Sequence, residues 1–253
     1  MNLKLIEKIK IIFTHVVLPL FMFVFVSCVV EIVEEILKIN VNILITQTIA
    51  NILFLIIMIP IFILFRKKYK LVYEKPEIKT LIHMVPIAIG LSLTLNIILG
   101  LLIPNIDENE VSNSLLEISE NISIFISLFI VALITPITEE LLFRGFIYDG
   151  IKLLLNKYIA IILTALIFAV SHGNFEQGIY ALIVGLFFGY IIEKYQNIWY
   201  TIVIHCVMNG VIAIFQVDLG KISDNKSMLF LLFISSFIFI FSIIRINIRK
   251  EGE

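Results

Sequence analysis

Three short patterns in the second half of the chain carry side chains that can move protons. In chain order they are Glu139-Glu140-x-x-x-Arg144, Phe168-x-x-x-His172 and His205-x-x-x-Asn209. Carboxylates and imidazoles accept protons, and an amide N–H can donate a hydrogen bond to a developing oxyanion. Together these residue types are those of a site that activates water.

The spacing within each pattern predicts which side chains meet. Residues four apart lie on one face of a helix, so Glu140 and Arg144 are expected to pair. Glu139 points about 100° away on the same helix and has no basic residue four positions before or after it. Glu139 is therefore the better candidate for a general base. Pro136, three residues earlier, removes a backbone hydrogen bond and can kink the helix just before the carboxylates.

The same spacing places Phe168 on one face with His172, and His205 on one face with Asn209. The residues alone leave three interpretations open. They could form a hydrolytic site, a proton or ion relay of a transporter, or polar contacts that join helices.

The composition indicates which elements position these side chains. The chain has 253 residues, of which 60% are hydrophobic and 15% charged, which excludes a cytosolic domain. Eight stretches contain no Asp, Glu, Lys or Arg, and most match the ~20 residues that cross a bilayer. They are residues 11–30, 39–65, 80–106, 121–138, 158–175, 177–192, 195–217 and 227–244. The sequence predicts an all-α, multi-pass protein of the cell membrane with eight transmembrane helices.

The positive charges predict the orientation of these helices, because short loops rich in Lys and Arg stay in the cytoplasm. With a cytoplasmic N-terminus, all of the 19 Lys and Arg residues except Lys38, Lys221 and Lys226 fall on the inner side. Residues 105–122 are acidic and contain no basic residue, as expected of an outer loop. Both termini are therefore predicted to be cytoplasmic.

The three patterns, in this order on successive hydrophobic segments, resemble the motifs of the CPBP family. This family comprises the type II CaaX prenyl proteases and the bacteriocin-processing proteins also called Abi proteins. The resemblance covers about residues 120–215, which divides the chain into helices 1–3 (1–120), a catalytic core (121–215) and a last helix with a tail (216–253). It implies an eight-helix intramembrane endopeptidase.

The resemblance also implies a role for each residue of the three patterns. Glu139 and His172 would activate a water molecule, while Glu140 with Arg144 would support Glu139. His205 and Asn209 would form the oxyanion hole.

A zinc mechanism is the alternative for the water. Zinc hydrolases commonly use three protein ligands and leave one position open, and Glu139, His172 and His205 could supply that set. The sequence contains no His-Glu-x-x-His pattern, and a mechanism without a cofactor is favoured.

The expected partners are membrane lipid and a peptide or lipidated protein substrate, and the chain shows no nucleic-acid-binding patch. Two other functions stay open. One is a non-catalytic bacteriocin-immunity or membrane binding protein on the same scaffold. The other is a proton-coupled transporter, which should show inverted repeats with broken helices.

Overall fold

The computed structural model describes residues 4–39, 41–102, 124–216 and 225–251. Within these ranges every regular element is helical. The acidic segment 105–122, predicted to be an outer loop, lies outside the described residues.

Eight helices account for the described chain, and each contains most of one uncharged stretch of the sequence. They are α1 (Leu5–Leu37), α2 (Ile43–Tyr69), α3 (Ile78–Leu102), α4 (residues 124–154), α5 (Lys157–Ser171), α6 (Phe175–Tyr195), α7 (Ile198–Gln216) and α8 (Asn225–Glu251). Six of them are long and apolar enough to cross a membrane, whereas α5 and α7 are shorter. The predicted all-α, multi-pass membrane architecture is confirmed. The spanning of all eight helices and the cytoplasmic termini stay predictions.

Asparagine side chains begin three of these helices. Asn42, Asn156 and Asn174 precede α2, α5 and α6, and each accepts a backbone N–H two or three residues further on at 2.9–3.0 Å. Such caps satisfy donors that the first turn of a helix leaves unpaired. Gly173 adopts a φ of +67°, which permits the tight turn between α5 and α6.

The chain divides into two compact units, and the division falls inside α4. The first unit takes the described residues of Met1–Glu74 and Ile137–Ile198, and the second those of Lys75–Pro136 and Trp199–Glu253. The prediction of a catalytic core at 121–215 follows the motifs rather than these units and stays a prediction.

Aromatic side chains from α2 and α4 form the core of the first unit. Phe62 and Phe146 lie with their ring centroids 5.4 Å apart, and both are buried. His15 of α1 is also buried, because its ring stacks on Phe65 at 4.8 Å. His15 is therefore a packing residue of this core.

At one end of the first unit, segments predicted to be cytoplasmic lie together. The backbone N–H of Glu74, after α2, donates to the Gln196 carbonyl, after α6, at 3.0 Å. The Tyr73 hydroxyl donates to Asp149 Oδ2 on α4 at 2.9 Å. Burial, together with the charge of Asp149, raises the pKa of Tyr73 well above its usual value, so its hydroxyl stays a donor.

A second polar contact joins α4 to α6 at this end. Glu193 of α6 accepts hydrogen bonds from the Tyr148 hydroxyl and from Lys152 Nζ, both on α4. The Lys157 Nζ atom at the start of α5 lies 4.0 Å from the same carboxylate. Glu193 therefore contacts the end of α4 and the start of α5 from its place near the end of α6.

Helices α5 and α6 form an antiparallel hairpin in which glycines allow close approach. A Cβ atom on Gly189 would lie 2.6 Å from Ile161 Cγ2, and one on Gly185 would lie 3.1 Å from Ala165. The small residues of α6 therefore serve packing, as their four-residue spacing predicts.

Helices α3 and α8 pack closely in the second unit. A Cβ atom on Gly90 would lie only 2.7 Å from the Phe239 backbone nitrogen. One turn further along α3, the Thr94 hydroxyl donates to Ser235 Oγ at 3.1 Å. A glycine contact and a neutral hydrogen bond thus join these helices.

Candidate active site

The Glu140–Arg144 pair predicted from the spacing is present and buried. Arg144 Nη1 lies 2.9 Å from Glu140 Oε1, and the two side chains are only 1% and 0% exposed. The pair begins at the last residue of a short α segment, Thr135–Glu140, and ends inside the π-helical stretch Leu141–Tyr148. Every side chain of that stretch is buried.

Two aromatic rings flank the guanidinium of Arg144. Its central carbon lies 4.7 Å from the ring centroid of Phe168 on α5 and 4.9 Å from that of Phe188 on α6. Its second terminal nitrogen reaches the Gly185 carbonyl at 3.5 Å. A cation over aromatic rings gains electrostatic stabilisation, so Arg144 fixes α4 against α5 and α6.

Glu139 and Glu140 are adjacent in sequence but differ in environment. Glu140 is completely buried, whereas the Glu139 side chain is partly exposed. Glu139 also interacts electrostatically with Arg144. The four-residue spacing predicts no basic partner for Glu139, because Arg144 lies five positions after it.

His172 lies at the end of α5, where its ring orientation is fixed by the preceding turn. Its Nδ1 atom lies 2.8 Å from the Phe168 carbonyl oxygen, and its ring meets the Phe168 ring edge-on at 4.8 Å. A carbonyl can only accept, so Nδ1 must carry the proton. In the neutral ring Nε2 is then the proton acceptor.

Phe168 therefore connects the first two patterns. Its ring contacts Arg144 and His172, and it also lies 4.8 Å from the ring of Phe143. The sequence identified Phe168 only as the residue one turn before His172. Its contacts with α4 depend on the packing of α5 against α4.

The third pattern lies in the second unit. His205 on α7 is buried, at 6% exposed. Asn209, one turn later, uses its side-chain Nδ2 to donate to the Val131 carbonyl of α4 at 3.2 Å. The spacing of the three patterns does not predict this contact.

The candidate residues thus form two groups, each described within its own unit. Glu139, Glu140, Arg144 and His172 belong to the first unit, and His205 and Asn209 to the second. The convergence of all six residues on one site stays a prediction from the sequence.

The zinc ligand set also stays a prediction, since its three members divide between the units. Among the described residues, no group of three His, Cys, Asp or Glu side chains is arranged to hold a metal ion. Metal analysis of the protein is the measurement that decides the question.

An apolar groove of about 370 Å³ lies at the turn between α5 and α6 in the first unit. Its walls come from the end of α5 and the start of α6, where Val170, Gly173 and Gly178 are among the lining residues. Val170 and Phe175 expose about four fifths of their surface, at 79% and 80%. The turn that follows His172 in the chain therefore presents a surface suited to apolar groups.

The family and the relative that this chain matches agree with the three patterns. Residues 121–211 match the family described as "Type II CAAX prenyl endopeptidase Rce1-like", and this segment contains all six candidate residues. The chain is also 23% identical to the Bacillus subtilis (strain 168) protein named "Putative membrane peptidase YdiL" over 111 residues. That match covers 44% of this chain and 45% of the relative. No solved structure matches.

Proposed function

We propose that this chain is an intramembrane protease of the CPBP family, which its match over residues 121–211 supports. It hydrolyses a peptide bond of a membrane-associated peptide or protein with water activated by Glu139 and His172. One observation carries the proposal, namely the hydrogen bond of His172 Nδ1 to the Phe168 carbonyl. It selects the tautomer whose Nε2 can accept a proton or orient a water molecule.

The proposed reaction is a general-base hydrolysis. Glu139 takes a proton from the water while the water oxygen attacks the scissile carbonyl carbon, and Nε2 of His172 orients the same water. His205 and Asn209 donate to the oxyanion of the tetrahedral intermediate. The carbon–nitrogen bond then breaks, and Glu139 returns its proton to the leaving amine.

Glu140 and Arg144 are proposed to position the catalytic residues rather than to contact the substrate. Their mutual contact is completely buried, and Arg144 packs against the ring of Phe168. The same residue, Phe168, offers its carbonyl to His172. The ion pair would thus orient the histidine through Phe168.

The position of His172 favours a substrate that is held in the membrane. Helix α5 has 15 residues, so it is about 22 Å long. If its lysine-bearing start lies at the cytoplasmic surface, His172 lies inside a hydrocarbon core of about 30 Å. A lipidated C-terminal peptide and a bacteriocin-like peptide are the two substrate classes to compare.

The test is cleavage in water enriched in oxygen-18. The purified full chain in lipid nanodiscs is incubated with a prenylated CaaX peptide, the same peptide without the lipid, and a hydrophobic leader peptide. Hydrolysis is expected to place one oxygen-18 atom in the new carboxylate, which mass spectrometry detects. Stoichiometric zinc with chelator-sensitive cleavage would instead assign Glu139, His172 and His205 as metal ligands.

A variant of the proposed base distinguishes an enzyme from a binding protein. Glu139→Gln is expected to lower the rate of cleavage by about 10²–10⁴ and to remove the biological effect in cells with it. If no peptide is cleaved, and Glu139→Gln retains the full effect in cells, the non-catalytic immunity or binding function would replace the proposal.

A further inference from the structure

The π-helical stretch Ile130–Ile134 of α4 leaves the backbone carbonyl of Val131 without its ordinary donor. The N–H of Thr135 donates to the Ile130 carbonyl, five residues back instead of four. In the same register the Val131 carbonyl would accept from residue 136. That residue is Pro136, which has no N–H.

Asn209 supplies the missing donor. Its Nδ2 atom lies 3.2 Å from the Val131 oxygen. One residue further along both helices, a Cβ atom on Gly210 would lie 3.5 Å from Ala132 Cβ. Helices α7 and α4 therefore approach within van der Waals distance at this turn. Proline is tolerated in membrane helices where a neighbouring helix satisfies the carbonyl that it frees.

We propose that Asn209 is a positioning residue for α4, because its side-chain amide takes the place of the backbone N–H that the π turn and Pro136 remove at Val131. This inference rests on the proposed function and adds to it. A primary amide has two N–H groups, so the bond to Val131 leaves one for an oxyanion. Asn209 then holds the helix that carries the proposed base while it contributes to the reaction.

The place of the bond along α4 explains why it should affect catalysis. Beyond the π turn the helix returns to α geometry at Thr135–Glu140, and Glu139 lies eight residues after Val131. A shift between π and α registers at residues 130–134 would rotate the following turn by about 100°. The amide of Asn209 stabilises the π register and so fixes the backbone that leads along α4 to Glu139.

The test restores the backbone donor. In the Pro136→Ala variant residue 136 has an N–H that can donate to Val131, so the amide of Asn209 is no longer needed there. Asn209→Ala, Pro136→Ala and the double variant are compared in nanodiscs for kcat, KM and the thermal unfolding midpoint. Pro86→Ala, at another proline inside a helix of the second unit, is combined with Asn209→Ala as the matched control.

Adding Pro136→Ala is expected to raise the thermal unfolding midpoint of the Asn209→Ala variant. It should also raise the kcat of that variant roughly tenfold, which is the factor that one net hydrogen bond supplies. The KM should change little. Pro86→Ala should recover neither. Equal kcat values for Asn209→Ala with and without Pro136→Ala would overturn the inference and leave Asn209 as an oxyanion donor alone. If the wild-type chain cleaves no peptide, the proposed function fails, and the thermal midpoints alone test the inference. Equal midpoints for Asn209→Ala with and without Pro136→Ala would then overturn it.

Discussion

The two units of this protein hold their helices together with different kinds of polar contact. In the first unit the contacts involve charges, as in the pair of Glu140 with Arg144 and the contact of Lys152 with Glu193. In the second unit neutral side chains join the helices, as in the bond from Asn209 to Val131 and that from Thr94 to Ser235.

This difference matches the two tasks of the proposed reaction. Proton transfer from water requires an ionised carboxylate, and a buried cation nearby keeps carboxylates ionised. Stabilisation of an oxyanion requires only fixed donors, which a neutral amide supplies. We infer that the first unit provides the base and the second the neutral donors.

The largest expected effect comes from the proposed base. Glu139→Gln and His172→Ala should each lower kcat by about 10²–10⁴, the contribution of general-base catalysis. The measurement is the oxygen-18 cleavage assay. Glu176→Gln, which changes a carboxylate four residues after His172, is the control and should retain activity. A Glu139→Gln enzyme of normal rate would remove the assignment of the base to the first unit.

The buried ion pair should dominate the stability of the first unit. Arg144→Met leaves Glu140 buried without its partner, which should lower the free energy of unfolding by about 3–5 kcal/mol. Adding Glu140→Leu removes the unpaired charge and should recover most of that loss. Thermal and denaturant unfolding in detergent measure both.

A contact on the surface of the same unit provides the control for this pair. Lys157 is half exposed and lies 4.0 Å from Glu193. Lys157→Met should therefore change the free energy of unfolding by no more than about 1 kcal/mol. An equally small effect of Arg144→Met would show that charge does not hold the first unit together.

The sequence predicted the helices and the contacts within them, because both follow from local spacing. The uncharged stretches located eight helices, and the four-residue spacing predicted the contacts of Glu140 with Arg144 and of Phe168 with His172. The catalytic roles of these residues stay predictions.

Contacts between distant residues could not be predicted in this way. Tyr73 and Asp149 are 76 residues apart, and Asn209 and Val131 are 78 apart. The π-helical stretches of α4 were also missed, because hydrophobic periodicity does not distinguish a π turn from an α turn. Pro136 predicts a missing backbone hydrogen bond in α4, but it does not predict that the side chain of Asn209 supplies the donor.

The next test of the comparison between the two units uses one glycine from each. A Cβ atom at Gly90 would meet the backbone of Phe239, whereas one at Gly189 would meet the side chain of Ile161. Backbone atoms cannot rotate away, so Gly90→Ala should cost about 1–3 kcal/mol and Gly189→Ala less.

Two further variants sharpen this ranking. Gly100→Ala is the control, since nothing lies within 4 Å of its Cβ position, and it should be neutral or slightly stabilising. Ile161→Val should relieve part of the cost of Gly189→Ala and leave that of Gly90→Ala unchanged. Thermal midpoints that rank Gly189→Ala below Gly90→Ala would contradict the expectation.

The smallest expected effects compare one hydroxyl from each unit. Tyr73→Phe removes the hydrogen bond to the buried Asp149, which should cost about 1.5–3 kcal/mol, as for bonds to charged groups. Thr94→Val removes a neutral bond to Ser235 and should cost about 0.6 kcal/mol, the average for such bonds in membrane proteins. Equal costs, measured by unfolding at pH 9, where the Asp149 carboxyl is ionised and the Tyr73 hydroxyl still donates, would contradict the distinction between charged and neutral contacts.

The pH dependence of Tyr73→Phe provides a second readout for the same hydroxyl. The folded-state pKa of Tyr73 is raised above the unfolded value of about 10. Folding therefore favours the protonated phenol, and this contribution is complete below about pH 10 and is lost as the pH rises toward the folded-state pKa. The wild-type chain should lose stability above about pH 10 more steeply than Tyr73→Phe, whereas Thr94→Val should follow the wild type. Parallel alkaline curves for the wild type and Tyr73→Phe would show that the tyrosine is not held as a neutral donor to Asp149.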